Sequence, residues 1–447
     1  MNPSPVQKSP EGFWVLLFWA YLLGVSFLVQ FVFLPGLFPQ WHAGHGLLNG
    51  TDSLVFHEIA EGQAQRMVEE GWVGWKLVPR GQIAAGIASI FYYLISPEPW
   101  VMIPLYTFLF SLAAFLMGRA YALLEAPTRS AWPILSVLPF LGFPSAVLLY
   151  AQLLKDVFFI FGNFLFLYGW MKWIKKGDSS SVVSWPDFFA LFFSLTGGYL
   201  VVWLVRPYWG PVLFLLTFLG LLLVSVGEII RLIRKEPFTE GRLRYLGMTV
   251  LMVLVMTTAQ IPKKIPDVLT SPAPDKEQRV VTMAWKRTPW LPLILDRQME
   301  LLARSRLAFV VKYPEAGSTM DKDRMFYEAK DLILYLPRAF YVGFFMPTPA
   351  MAAGSGTSPA GTALRRIVGG EMLLLYLCYP LVLIGLWRWR KKTEAGFFLF
   401  WAVSGILLYT ITSPNIGALY RFRYGFLTAL SGAGIYGGLC RLFGREG

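Results

Sequence analysis

Asp52, in Thr51-Asp52-Ser53, and Asp156, in Gln152-Leu-Leu-Lys155-Asp156, are carboxylates placed directly ahead of apolar or amphipathic runs. A carboxylate there has two uses. It can cap a helix N-terminus and complement its dipole, or it can act as a general base on an acceptor hydroxyl. Spacing alone leaves both open. Near them in kind are cations held in equally short segments: Lys155 itself, Arg206 in Arg206-Pro-Tyr-Trp209, and Arg421 and Arg423 at the end of the segment that begins at Ser413. The planar donor fork of arginine matches phosphate oxygens, and the pairing strengthens where water is thin. For any one of these cations, interfacial snorkelling or an ion pair with Asp52, Asp156 or Glu371 is an equal reading. As a set, Lys155, Arg206, Arg421 and Arg423 point to the phosphate of a lipid, with Asp52 and Asp156 as the candidate catalytic carboxylates beside it, their capping reading still open.

His57 and Glu58, which follow Asp52, and Arg80, in Val78-Pro-Arg-Gly-Gln82, are secondary candidates for the same site. His42, His45 and His57 raise the question of a metal, but His42-x-x-His45 runs into Gly46 and no ligand set at helical spacing follows. No metal and no cofactor is expected. No phosphate-binding loop of the Gly-x4-Gly-Lys type occurs, so ATP hydrolysis is not expected either. Cys378 and Cys440 both lie in apolar stretches, which argues against a disulfide framework.

These residues have to be positioned by membrane-spanning helices. Of 447 residues 55% are hydrophobic and only 15% charged, where a soluble domain carries roughly 25% charged. The net charge of +13 would suggest nucleic acid in a soluble chain. Here the basic residues cluster between apolar runs, the pattern of the positive-inside rule, and no nucleic-acid partner is expected. Apolar runs near 13–38, 98–122, 131–151, 157–174, 187–205, 209–230, 245–261, 368–387, 396–412 and 424–440 predict an all-α polytopic transmembrane helix bundle of about ten spans. No ionisable residue is expected near the middle of a span.

The run 81–95 decides the topology. If it crosses, Lys172, Lys175 and Lys176 fall outside, as do Arg388, Arg390, Lys391 and Lys392. If it does not, these join Arg119, Arg129, Arg231, Arg234, Lys235, Arg242, Arg244, Arg441 and Arg445 on one face. At 15 residues it is short for a span. The reading is therefore one membrane domain over 1–447 with both termini cytoplasmic, a bacterial inner membrane being the default location. Two outer elaborations follow. Residues 39–97 form a first outer loop with interfacial helices. In the first of these Val55, Ile59, Ala60, Ala64, Met67 and Val68 share a face, and Gly71 ends it. Residues 262–367 form a large outer region. It holds a stretch with Met325, Ala329, Leu332, Ile333 and Leu336 on one face and Pro337 at its end, then a small-residue segment over 353–362.

The order of Asp52 ahead of a juxtamembrane helix, Val78 to Gln82 ahead of a second one ending near Ser96-Pro-Glu-Pro-Trp100, and Tyr150 to Asp156 after the third span resembles the GT-C superfamily of membrane glycosyltransferases. The resemblance covers roughly the first 170 residues. It implies transfer of a sugar from a polyprenyl-phosphate-linked donor to a glycan, lipid or protein acceptor at the extracytoplasmic face, in the assembly of cell-surface glycan or polysaccharide. It also implies that the family's first-loop aspartate corresponds to Asp52 and its second-loop acidic position to Asp156. Where members acting on proteins or lipid A carry a second acidic residue or a His-Pro-Pro or Lys-Pro-Pro motif, this chain has Pro79-Arg80-Gly81. A transporter or flippase of lipid-linked saccharide, or a non-catalytic membrane subunit, would use the same cations without the chemistry.

Overall fold

The structure is a computed structural model that describes residues 11–126, 132–178, 184–235, 240–259, 270–271, 283–312, 318–355 and 359–443. In chain order its helices are α1 (Glu11–Leu28), continued by a π-helical stretch (Val29–Leu37), α2 (Ser53–Glu70), α3 (Ile83–Leu94), α4 (Ile103–Leu124), α5 (Trp132–Leu135), α6 (Leu138–Gly142), α7 (Pro144–Tyr150), α8 (Asp156–Asp178) and α9 (Trp185–Val205). After these come α10 (Gly210–Ile233), α11 (Glu240–Ala259), α12 (Leu293–Lys312), α13 (Ala329–Phe345), α14 (Pro349–Ala353), α15 (Pro359–Arg388), α16 (Thr393–Thr412) and α17 (Ile416–Phe443). The two described strands, β1 (Val78–Pro79) and β2 (Thr270–Ser271), are two residues each and pair in parallel.

The chain is an all-α integral membrane protein. Seven described stretches are long and apolar enough to cross a membrane: Gly12–Leu37, Pro99–Leu124, Asp156–Lys176, Trp185–Val205, Pro207–Ile233, Gly361–Arg388 and Thr393–Thr412. The other three runs read as spans behave differently. The run 131–151 is broken, with Pro133–Gly142 and Pro144–Tyr150 meeting at 78°. Pro144 has no N–H to give to Phe140, and the Tyr424 hydroxyl donates to that carbonyl instead at 2.8 Å. The described part of the run 245–261, as far as 259, is helical in α11 and the run 424–440 is helical in α17, but neither is among those seven stretches. In α17 the shortfall comes from Gly, Ser, Thr and Tyr. Phe426, Leu427, Ala429, Leu430, Ala433 and Tyr436 there are nonetheless buried. Small residues let helices approach closely where apolar burial alone gives little drive. A Cβ on Gly437 would lie 2.8 Å from the Cα of Gly385 in α15, and one on Gly198 in α9 would lie 2.8 Å from the Gly162 carbonyl oxygen in α8. The centre of the bundle is α8, whose Trp170 and Trp173 are fully buried. The flanks, such as Phe13, Leu16 and Tyr21 of α1, present apolar side chains outward.

At one end of the bundle the basic residues gather. Asp187 is held by Lys172 and Lys176 at 3.1 and 2.7 Å, and Arg388 pairs with Glu125 at 2.5 Å. The opposite end carries the 39–53 segment, α2, α3 and the turns before α8, α10 and α17. At 12 residues α3 rises about 18 Å, well under the ~30 Å of hydrocarbon.

Several expected details differ. In α2 the buried face runs through Ser53, Phe56, His57, Ala60, Gln63, Ala64 and Met67, while Val55 and Val68 point outward. Polar Gln63 sits inside because it donates to Ser89 Oγ and the Lys76 carbonyl, both at 2.8 Å, which a purely apolar count misses. Pro337 does not end its helix: it lies inside α13, which runs on to Phe345, and Ile333 and Leu336 are on the outer side. Of the segment 353–362, residues 356–358 lie outside the described residues and 359–362 begin α15. Glu371 lies within the apolar stretch Gly361–Arg388 and is buried, accepting from the Ser145 N–H and the Tyr420 hydroxyl at 2.7 Å each. This stretch therefore holds a buried ionisable side chain, at the start of the run 368–387 rather than its middle, satisfied by its neighbours. Arg119, Arg231, Arg234, Lys235 and Arg441 belong to described helical ends, whereas Arg129 and Arg445 lie outside the described residues.

Candidate functional site

The turn that holds Asp52 is fastened to the turn that holds Asp156 by one side chain. Gln152 is buried, accepts the Leu48 N–H at 2.8 Å and donates to the Gly46 carbonyl at 3.3 Å. Gly46 at φ +68 takes the backbone through the left-handed region, and a Cβ there would strike Gln30. The chain then enters α2 at Asp52, the residue in N-cap position. Its side chain makes no capping hydrogen bond. It accepts from Arg421 Nη2 at 2.8 Å.

Arg421 sits in the first turns of α17. Its Nε, which has no hydrogen-bond partner among the described residues, lies 3.6 Å from Asp156 Oδ2. Asp156 opens α8 and is buried, and its other oxygen accepts from Arg206 Nη2. Arg206 in turn donates to the Tyr409 hydroxyl at the end of α16. The guanidinium of Arg206 packs over the rings of Phe159 and Phe422 at 4.4 and 4.3 Å, an arrangement that holds a buried cation by its π faces. Beside the chain of ion pairs, Lys155 Nζ donates to Gln82 Oε1 at 3.2 Å, which brings in the residue just ahead of α3. Desolvation, reinforced by the nearby Arg206, brings the Lys155 ammonium down to about 8, against the partly opposing pull of Asp156 and Asp52.

Five of the residues singled out in the sequence, Asp52, Lys155, Asp156, Arg206 and Arg421, thus meet at one end of the bundle, drawn from four separate parts of the chain. Two carboxylates face three cations. Asp52 is the accessible member, with its side chain 48% exposed against 3% for Asp156 and 1% for Arg206. A rim carboxylate over a buried cationic floor can hold an anion and accept a proton beside it.

Arg423 is placed elsewhere. It is fully buried and donates to the carbonyls of Val342, at 2.8 Å, and of Gly343 and Met346. These carbonyls lie at the end of α13 and its C-cap, where Val342 also accepts the Met346 N–H at 3.3 Å, and a side chain from α17 closes them off. Arg423, expected beside the other cations, is thus set apart from them with its donors on these carbonyls. His57 is buried against Tyr92, its Nδ1 2.8 Å from the hydroxyl, and desolvation with the neighbouring His45 lowers its pKa. His45 pairs with Glu98 at 3.0 Å. Among the described residues no group of three or more His, Cys, Asp or Glu side chains could hold a metal ion. Glu58 and Arg80 are exposed, Arg80 with φ +48 in the turn that leads to Gln82.

Gln152 and Gln82 carry roles that residue type alone does not announce, and the only signal for them is that each stands within a segment already marked by Asp156 or Arg80. Tyr409 reads as an ordinary apolar-span residue, and Phe422 as an apolar residue between the two arginines. Searches of protein-family models, of curated proteins and of solved structures find nothing that matches this chain.

Proposed function

We propose that the protein is a GT-C-type membrane glycosyltransferase that moves a sugar from a polyprenyl-phosphate-linked donor to an acceptor at the extracytoplasmic face. In this reading the bundle has ten spans, α11, α17 and the broken α5–α7 run completing the seven apolar stretches. Both termini are cytoplasmic, the membrane is a bacterial inner membrane, and α2 and α3 lie along its outer boundary. The clustering of Lys172, Lys176, Arg231, Arg388 and Lys391 at the end away from Asp52 agrees with that orientation.

One observation carries the reading: the Asp52 carboxylate turns away from the helix it precedes and joins Arg421, over the buried Asp156–Arg206 pair. The donor's phosphate oxygens would compete with Asp52 for Arg421 and find Lys155 beside it. As the bond between the anomeric carbon and the phosphate oxygen breaks, negative charge grows on that oxygen, and preorganised cations stabilise it without reorganising. Asp52, released from Arg421, takes the proton of the acceptor hydroxyl as its oxygen bonds to the anomeric carbon from the opposite face. The products are the glycosylated acceptor and the polyprenyl phosphate.

The test is Asp52→Asn in purified protein supplied with a polyprenyl-phosphate-linked sugar. Loss of a positioned general base lowers turnover by about 10²–10⁴-fold while donor binding persists. Unimpaired transfer by this variant removes Asp52 from the chemistry. Sugar crossing proteoliposomes with no new glycosidic bond would make the protein a carrier instead.

A further inference from the structure

The chain has three histidines, and all three meet around the segment that leads into α2. His42 Nε2 accepts the Gly46 N–H at 3.0 Å, so that nitrogen carries a lone pair and the ring is neutral. His45 Nδ1 lies 3.0 Å from Glu98 Oε2, and its ring centre is 4.7 Å from that of His57. His57 is buried on α2, with its Nδ1 against the Tyr92 hydroxyl. Gly44, His45 and Gly46 follow one another through the left-handed region, at φ +96, +53 and +68. For His45 that conformation carries a cost, which the contacts of its ring offset.

This segment fastens the two carboxylate turns to each other. Gly46 gives its N–H to His42 and its carbonyl to Gln152, and the Leu48 N–H completes the grip on Gln152. Protonation works against the grip at two points. An imidazolium at His42 turns Nε2 from acceptor to donor, and the hydrogen bond from Gly46 is lost. Among the described residues His42 makes no ion pair that would compensate. An imidazolium at His57 stands desolvated beside His45. Burial first and His45 second lower the pKa of His57, and they outweigh the pull of Glu61, Glu98 and Glu58. Tyr92, the other titratable group against it, is pushed up by burial and stays neutral. A charge on His57 is therefore relieved when His45 moves away, and His45 belongs to the segment. Glu98 holds a charged His45 in place, so release is carried by His42 and His57. Because the held segment leaves these two short of protons, the balance moves toward release as pH falls below the ordinary imidazole value of about 6.5.

We propose that the 42–48 segment is an acid-released latch: when His42 and His57 take up protons, it lets go of Gln152 and frees the Asp52 turn from the Asp156 turn. The latch is read on backbone amides and stands apart from the sugar-transfer reading.

The experiment is hydrogen–deuterium exchange of the detergent-purified full chain at pH 7.5 and 5.5, with each amide scaled to its intrinsic rate at that pH. Protection of the Gly46 and Leu48 amides falls by about tenfold or more at the lower pH, the factor for one unit of pKa difference at a single group. Amides in the middle of α8 are equally protected at both. His42→Gln keeps an acceptor for Gly46 without a titrating ring, and His57→Asn keeps a polar partner for Tyr92. The variant with both substitutions loses the pH dependence. Unchanged protection in the wild type overturns the proposal. So does a loss of protection that persists in the double variant, which would place the titration on Glu58, Glu61 or Glu98. If the double variant fails to fold, the wild-type profile decides alone: a midpoint at about 6 supports the latch, and one at about 4.3, in the carboxylate range, overturns it.

Discussion

Arg421 Nη2 and Asp52 Oδ2 lie 2.8 Å apart although 369 positions separate them in the chain. That contact closes the site. It ties the entrance of α17 to the entrance of α2, and with Asp156 3.6 Å from the same guanidinium it joins an accessible ion pair to a buried one. The two carboxylates are therefore chemically unlike, and substitutions at them separate.

At Asp52 the side chain is half exposed and makes no capping hydrogen bond, and its ion pair with Arg421 is screened, a pairing worth about 0–1 kcal/mol, so Asp52→Asn costs little. Thermal unfolding in detergent shifts by no more than a few degrees. Asp156→Asn leaves Arg206 buried without its counter-charge, a change that costs about 3–5 kcal/mol. Its unfolding midpoint falls clearly below that of the Asp52 variant. Equal midpoints would show that the buried pair is not the structural floor of the site.

Arg421 and Arg423 separate as well. Arg421→Gln removes donors from the cluster and weakens binding of a polyprenyl-phosphate donor with a small effect on stability. Arg423→Gln leaves carbonyls at the end of α13 short of partners, at about 1–3 kcal/mol for each one that is lost. It lowers the unfolding midpoint while donor affinity in the remaining folded protein stays unchanged. A donor titration of each variant beside its melting curve decides the assignment, and a selective loss of donor affinity at Arg423 would return that residue to the site.

Lys155 gives the site a pH dependence. Its folded-state value near 8 lies below the ordinary 10.5, so between the two the unfolded chain holds the extra proton. Stability consequently rises with pH across that window, and the burial cost of the ammonium is felt in full below 8. Donor binding runs the other way, because only the ammonium attracts the donor's fixed negative charge. Affinity for the donor should fall as pH is raised from 7 to 9.5. Lys155→Met should bind more weakly at pH 7 and show a flat profile through the same range. A sloping profile in that variant would assign the titration to another group.

How far this arrangement could be read from the sequence depends on the kind of evidence each residue leaves. Asp52, Lys155, Asp156, Arg206 and Arg421 stand out because a charge in a short segment between apolar runs has few places to go. Arg423 stands out for the same reason but lies apart from the others, on the carbonyls at the end of α13. Two residues of helix turn a side chain through about 200°, so 421 and 423 of one helix cannot face one site. The buried face of α2 was displaced by polar residues, Ser53, His57 and Gln63, that find hydrogen-bond partners inside. The break at Phe143 and the burial of Glu371 share that cause. In both, a neighbouring helix supplies the partner, Tyr424 for the freed carbonyl and Tyr420 for the carboxylate, and no local pattern shows which helix that is. In α17 glycine and serine depress hydropathy where close packing needs them most, so the helix most enclosed by others is among the least apolar by composition.

The sidedness on which the enzymatic reading rests can be tested with single cysteines in a background lacking Cys378 and Cys440, which are half-buried and buried. Glu69 in α2, Lys322 ahead of α13 and Lys391 between α15 and α16 are all exposed, so cysteine at each is open to reagent without disturbing packing. In the bundle the first two are tied to the Asp52 end: Lys322 follows Met320, whose N–H donates to the Pro414 carbonyl at 2.9 Å, just before α17. Lys391 lies at the other end, beside the Arg388–Glu125 pair. In sealed right-side-out vesicles, a membrane-impermeant maleimide should label Glu69→Cys and Lys322→Cys at once and Lys391→Cys only after the membrane is opened. Because α3 is too short to cross, the same pattern should hold for Arg80→Cys, one turn ahead of it, and for a cysteine at Glu98, which follows it. Labelling of positions 80 and 98 from opposite sides would make α3 a crossing element, invert every later loop, and take Asp156 and Arg421 away from the face at which Asp52 is proposed to work.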